Sequence, residues 1–134
     1  IDNRVFRQTI SSPNRVVKKV EIHFDFDATR VPEESSEDIA RMAEVLKKYP
    51  EASLILGGHT DSTGSDVYNM NLSRNRAAAV RYRLIYNHGI SPDRIFMTWY
   101  NSDRPIADNA TKEGRQKNRR VESYISLVLK GVDW

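Results

Sequence analysis

Apolar residues recur at every second position from Val20 through Ile22 and Phe24 to Phe26, a period that predicts a β-strand with one buried face. The period then changes. Pro32-Glu33-Glu34-Ser35-Ser36-Glu37-Asp38 offers serine caps and acidic residues for a first helical turn. Ile39, Met42, Ala43 and Leu46 follow at helical spacing, and Tyr49-Pro50 ends the element. Ala52 to Leu56 is a short, nearly unbroken apolar run, which predicts a central strand covered on both faces. A polar loop with glycines at either end, Gly57 to Gly64, leads from it into a long helix over roughly 66–87 with Ser65 as cap. Met70, Ser73, Ala77, Val80 and Leu84 form the stripe expected to face the sheet, and Gly89 and Pro92 mark the stop.

Arg94 to Trp99 reads as a third strand, 100–118 as a long polar connection, and Arg120 to Leu129 as a last strand with Val121, Ile125 and Leu127 on one face. The order is strand, helix, strand, helix, strand, loop, strand. Two right-handed βαβ crossovers call for parallel neighbours and put both helices on one side. The expected fold is a two-layer α/β sandwich, βαβαβ-loop-β, with a mixed sheet and two main helices on one face. Residues 1–19, with turn formers Ser11, Ser12 and Pro13, read as an N-terminal flanking segment, 20–130 as the domain and 131–134 as a C-terminal tail.

Composition narrows the class. The 134 residues are 39% apolar and 29% charged, ordinary for one globular domain. No apolar run approaches the ~20 residues needed to span a bilayer, so any membrane contact belongs to a part absent from this chain. With Ile1 in place of an initiating Met, the sequence reads as a fragment or processed form. The 21 basic and 18 acidic residues are interspersed, a pattern unlike that of a committed nucleic-acid binder. Cysteine is absent, which removes disulfides and thiolate metal sites.

Polar residues gather where the strands end and the second helix begins. Asp27 follows the first strand, Thr60 and Asp61 the second, and Arg119 opens the last. Asn69, Leu72 and Arg76 share one helix face over two turns. A carboxylate and a guanidinium then flank one crevice outside the strand ends, where open α/β sheets bind ligands. That pairing suits a zwitterion: the guanidinium takes a carboxylate and Asp61 accepts from an ammonium.

Two stretches carry a family resemblance. Gly58-His59-Thr60-Asp61, Gly64, Tyr68-Asn69, Leu72-Ser73, Arg76-Ala77 and Val80 resemble the helix signature of OmpA-like peptidoglycan-binding domains. Pro105 to Asn109, Thr111, Glu113-Gly114-Arg115 and Asn118 to Val121 resemble that family's closing motif. The likeness runs from about Phe24 to Ile125. It implies a periplasmic domain of an outer-membrane or envelope-anchored protein, as in outer-membrane proteins, peptidoglycan-associated lipoproteins and flagellar-stator proteins. Such domains hold the wall's stem peptide non-covalently through diaminopimelate, with no cofactor or metal and no catalysis. By position, Asp61 takes the ammonium and Arg76 the carboxylate, while Asp27, Thr60, Asn69, Leu72 and Arg119 line the pocket. The family's glycine-rich turn after the third strand is replaced here by Tyr100-Asn101-Ser102-Asp103.

Plainer readings stand beside these. Asp61 could serve only as a turn residue, and Arg76 only as a solvated helix position. His59 has no second histidine at ligand spacing and reads as structural. Asp25 and Asp27 near Asp61 mimic a hydrolase carboxylate pair without a positioned nucleophile. Arg115, Lys117, Arg119 and Arg120 form a basic cluster diluted by Glu113 and Glu122, with Arg120 and Glu122 expected to pair on the surface. The competing functions are a wall-modifying enzyme and a protein-docking domain with a vestigial pocket. Under the leading reading, Asp61→Ala or Arg76→Ala abolishes wall binding and leaves the fold intact. Oligomeric state is not legible.

Overall fold

The computed structural model describes residues 15–128. Strand β1 spans Arg15–His23, β2 Ser53–Gly58, β3 Ile95–Trp99 and β4 Arg120–Val128. Helix α1 spans Ser36–Lys48 after a 3-10 turn at Glu33–Ser35, α2 spans Asp66–His88, and α3 spans Lys112–Asn118. The sheet order is β1-β4-β2-β3. β4 runs antiparallel to both β1 and β2, while β2 and β3 are parallel. The expected mixed sheet is present, with one correction. Only the second crossover joins neighbours, because β4 inserts between β1 and β2.

Helices α1 and α2 cover one face of the sheet. Ile22, Leu54, Leu56, Val121 and Ile125 meet Ile39, Met42, Leu46, Ala77, Val80 and Leu84 there in one buried core. Burying such side chains is worth about 1.5–3 kcal/mol each. Among the described residues no helix covers the opposite face, where Ile55 is 40% exposed, so β2 is not covered on both faces as its apolar run suggested. Met70 is also exposed; the buried stripe of α2 is Asn69, Ser73, Arg76, Ala77, Val80 and Leu84.

Both ends of α2 are built as the sequence suggested. Ser65 Oγ accepts from the Tyr68 amide at 3.2 Å. At the other end Gly89 adopts φ 70°, its amide bonds to the Ile85 carbonyl, and the Ile90 amide reaches back to Leu84.

Other boundaries moved. β1 begins at Arg15 rather than Val20 and stops at His23. The alternation through Phe26 continues past the ladder, with Phe24 buried and Phe26 62% exposed. The connection 100–118 contains α3, whose Thr111 Oγ1 caps the Gly114 amide at 2.9 Å. The Ser11-Ser12-Pro13 turn, Leu129 and the 131–134 tail lie outside the described residues.

Candidate functional site

Arg76 is the center of the site and is completely buried. Its Nε donates to the Ala28 carbonyl at 2.8 Å, Nη1 to that of His59 at 3.1 Å, and Nη2 to that of Asp25 at 3.2 Å. One guanidinium thus ties α2 to the loop after β1 and to the end of β2. The Phe24 ring lies 5.4 Å from its carbon Cζ. Burial pushes its pKa down to about 10, with the Arg119 charge adding to the shift and Asp61 and Asp27 opposing it, so it stays charged at neutral pH. All these direct partners are neutral carbonyls. A buried cation without a carboxylate in contact is costly, and the opposing charges of Asp61 and Asp27 reach it only electrostatically.

The solvated-face reading of Arg76 is therefore overturned, and these contacts lead us to expect that Arg76→Ala costs stability as well. The same side chain that would receive a ligand also holds two loops.

Asp61 is 4% exposed and divides its two oxygens between two tasks. Oδ1 accepts from the Thr63 amide at 2.8 Å, the turn role its residue type suggested. Oδ2 accepts from Arg119 Nη1 at 3.2 Å. Arg119 also donates from Nε to the Phe24 carbonyl at 2.9 Å, so its fork is fixed on the far wall. Asp27 sits at the turn after β1 with φ 54°, a left-handed conformation that aspartate tolerates better than most residues.

Asp27, Asp61, Leu72, Arg76 and Arg119 line one small cleft, together with Phe26, Thr63 and Tyr68. Five of the seven residues expected from the sequence are thus brought together as a lining. Thr60 and Asn69 are not part of it. Thr60 is buried and shapes the loop, its Oγ1 donating to the Asp61 carbonyl at 2.9 Å. Asn69 is 1% exposed, and its Oδ1 has no partner among the described residues. It lies beneath the loop, where a Cβ on Gly64 would come 3.6 Å from that oxygen. Phe26 and Tyr68 had no assigned role. The alternation that placed Phe26 in the first strand hid it, although two exposed aromatics beside a charged cleft are a usable signal once the turn is known.

Behind the cleft lies a second polar group. His59 is buried, stacks on Tyr100 at 5.1 Å, and has Nε2 3.6 Å from Glu122 Oε1, an electrostatic contact beyond hydrogen-bonding range. Glu122 accepts from Arg120 Nε at 2.8 Å and from the Tyr124 hydroxyl at 2.6 Å. The Arg120–Glu122 pair forms as expected, but Arg120 is 1% exposed, so the pair is internal rather than on the surface. Burial lowers the pKa of His59, the Glu122 carboxylate opposes the shift, and the Arg120 and Arg104 charges add to it.

The departing turn finds its place here too. Asn101 takes φ 58°, a left-handed conformation that asparagine tolerates, and its carbonyl accepts from the Thr60 amide at 2.8 Å. Arg104 lies over the Tyr100 ring at 3.8 Å.

The OmpA family model matches residues 23–119. Outer membrane porin F of Pseudomonas aeruginosa is 45% identical over 112 residues, 84% of this chain and 32% of that protein. The peptidoglycan-binding protein ArfA of Mycobacterium bovis is 40% identical over 105 residues, 78% of this chain and again 32% of the relative. The chain thus spans about a third of the length of each. Among solved structures, the peptidoglycan-associated lipoprotein of Burkholderia pseudomallei superposes with a TM-score of 0.75 at 27% identity, covering 78% of this chain and 88% of that one.

Proposed function

The chain belongs to the OmpA family, and from that membership we propose that it binds peptidoglycan non-covalently and tethers an envelope protein to the wall. The ligand group is the zwitterionic end of diaminopimelate in the stem peptide. The observation that carries this reading is Arg76, a buried guanidinium whose direct partners are all backbone carbonyls, at the floor of a cleft whose other wall is Asp61.

The ligand carboxylate sits against Arg76 and Arg119, which supply the two positive charges. The ammonium sits at Asp61, sharing Oδ2 with Arg119, and Asp27 lies on the same lining. Leu72, Phe26 and Tyr68 pack the aliphatic stem. Thr60 acts indirectly, by shaping the loop that presents Asp61, and Asn69 lies buried beneath that loop. Each charge-assisted bond is worth about 1.5–3 kcal/mol, and many tethered copies facing a polymer gain avidity.

None of the described helices is long and apolar enough to cross a membrane. On this reading the domain, which β1 extends from residue 20 back to Arg15, works on the periplasmic side.

The test is calorimetric titration with stem peptides containing either diaminopimelate or lysine, which lacks the second carboxylate. Wild-type protein binds the first and not the second, and Asp61→Asn loses the first. Equal binding of both peptides sinks the zwitterion reading. Undiminished pulldown of Asp61→Asn by purified sacculi sinks the pocket.

A further inference from the structure

A second, wider cleft of about 490 Å³ adjoins the Asp61 pocket and shares Phe26, Thr63 and Arg119 with it. Its remaining lining is Ser62, Asn109, Lys112 and Arg115, so three cations and no carboxylate face it. Among the described residues, no acidic group lies within ion-pair distance of Lys112 or Arg115. Arg115 is nevertheless held in place, with Nη1 donating to the Asn109 carbonyl at 2.9 Å. Arg119 is already committed to Asp61 and the Phe24 carbonyl. The uncompensated charge in this cleft therefore belongs to Lys112 and Arg115.

We propose that this cleft is a carboxylate subsite continuous with the zwitterion pocket, in which Lys112 and Arg115 hold a second carboxylate of the same stem peptide. The inference rests on the reading of the Asp61 pocket given above and extends it from one residue to its neighbour. Two groups of a stem tetrapeptide have the right chemistry. One is the free α-carboxylate of the γ-linked glutamate before the diaminopimelate, and the other is the terminal carboxylate of the alanine after it. A ligand held at Asp61 and Arg76 leaves the pocket past Phe26, Thr63 and Arg119, which brings its flanking residue into the basic cleft. Such a subsite favours stem peptides that keep this carboxylate over amidated ones.

The experiment is calorimetric titration of wild-type protein and of the double variant Lys112→Gln/Arg115→Gln with four synthetic diaminopimelate tetrapeptides. One is unmodified, one is amidated at the glutamate α-carboxyl, one at the C-terminus, and one at both. Wild-type protein prefers the unmodified peptide to the doubly amidated one by roughly three- to tenfold, the range expected of two partly exposed ion pairs. The single amide that removes this preference identifies the source of the carboxylate. The double variant binds all four peptides alike, while Lys117→Gln, on the same helix outside the cleft lining, keeps the wild-type ranking.

Equal binding of the four peptides by wild-type protein overturns the subsite and leaves the zwitterion pocket standing. An unchanged ranking in the double variant overturns the role of these two residues. Failure of wild-type protein to bind any of the four overturns both the subsite and the pocket.

Discussion

Arg119 holds Asp61 from across the cleft, Nη1 to Oδ2 at 3.2 Å, from the head of a strand that runs antiparallel to the one Asp61 leaves. The pair keeps a buried carboxylate oriented before any ligand arrives. Arg119→Met keeps the apolar stem but removes the charge and the bond to the Phe24 carbonyl. Urea denaturation should show a loss of about 1–2 kcal/mol, and calorimetry roughly tenfold weaker binding of the diaminopimelate peptide. Unchanged affinity would mean that Arg119 serves the fold alone.

Arg76→Met should cost about 3 kcal/mol or more, because the carbonyls of Asp25, Ala28 and His59 lose their donor together. A lysine ammonium has three donors but on a single nitrogen, which cannot match acceptors spread over Nε, Nη1 and Nη2, so Arg76→Lys should recover little of that loss. A drop below about 1 kcal/mol in the methionine variant would remove the structural role argued for Arg76.

At Gly58 a Cβ would overlap the Ser73 carbonyl, which is backbone and cannot swing aside. Gly58→Ala should push the end of β2 away from α2 and destabilise by about 2–3 kcal/mol. A thermal midpoint equal to wild type would show that the helix shifts freely there.

Asn118 is buried and anchors the long connection. Its Oδ1 accepts from the amides of Ile106 and Ala107, and its Nδ2 donates to the Ala107 carbonyl and to Asn109 Oδ1. Asn118→Ala should cost about 2–3 kcal/mol and speed amide exchange at Ile106 and Ala107. Protection equal to wild type at those two amides would contradict this.

Acid should weaken the fold in a defined window. Burial works to raise the Glu122 carboxyl, but its contacts with His59, Tyr124 and Arg120 outweigh it and hold it well below the usual carboxylate range. For Glu21 the His23 contact acts first, burial opposes it, Lys19 adds to it, and the result is about 2. Folded pKa values below the unfolded ones give stability that is present at neutral pH and lost as pH falls. The depressed pKa of His59 has the same sign, so the decline should begin near the ordinary histidine value of 6.5 and steepen below about 4.5. Urea midpoints measured down to pH 3 should fall, and less steeply for Glu122→Gln. Parallel slopes would dismiss Glu122 as the titrating group.

The elements that bury an apolar stripe were readable in advance, because periodicity reports burial directly. Helix α2 and its caps at Ser65 and Gly89 are the clearest case. Sequence pattern failed where a polar residue took a core position. Arg120 read as a surface charge and Arg76 as the wall of an open crevice, yet both are buried, Arg76 because backbone carbonyls satisfy it and Arg120 because carbonyls and Glu122 do. Helix α3 was hidden by its lack of an apolar stripe; among its residues only Gly114 and Asn118 are buried. The insertion of β4 between β1 and β2 is a long-range choice that no local signal encodes.

The partners of Arg76 lie 17, 48 and 51 positions away in the chain, and those of Arg119 lie 58 and 95 away. Contacts of that separation join segments that only the assembled sheet brings together, so the candidate site exists in the closed fold and not in any one local element. It is also among the features no partly unfolded form can retain. A ligand that occupies it stabilises the fully folded chain alone and raises global stability by mass action. On the proposed anchoring function, a pull that opens these contacts should release ligand and fold together.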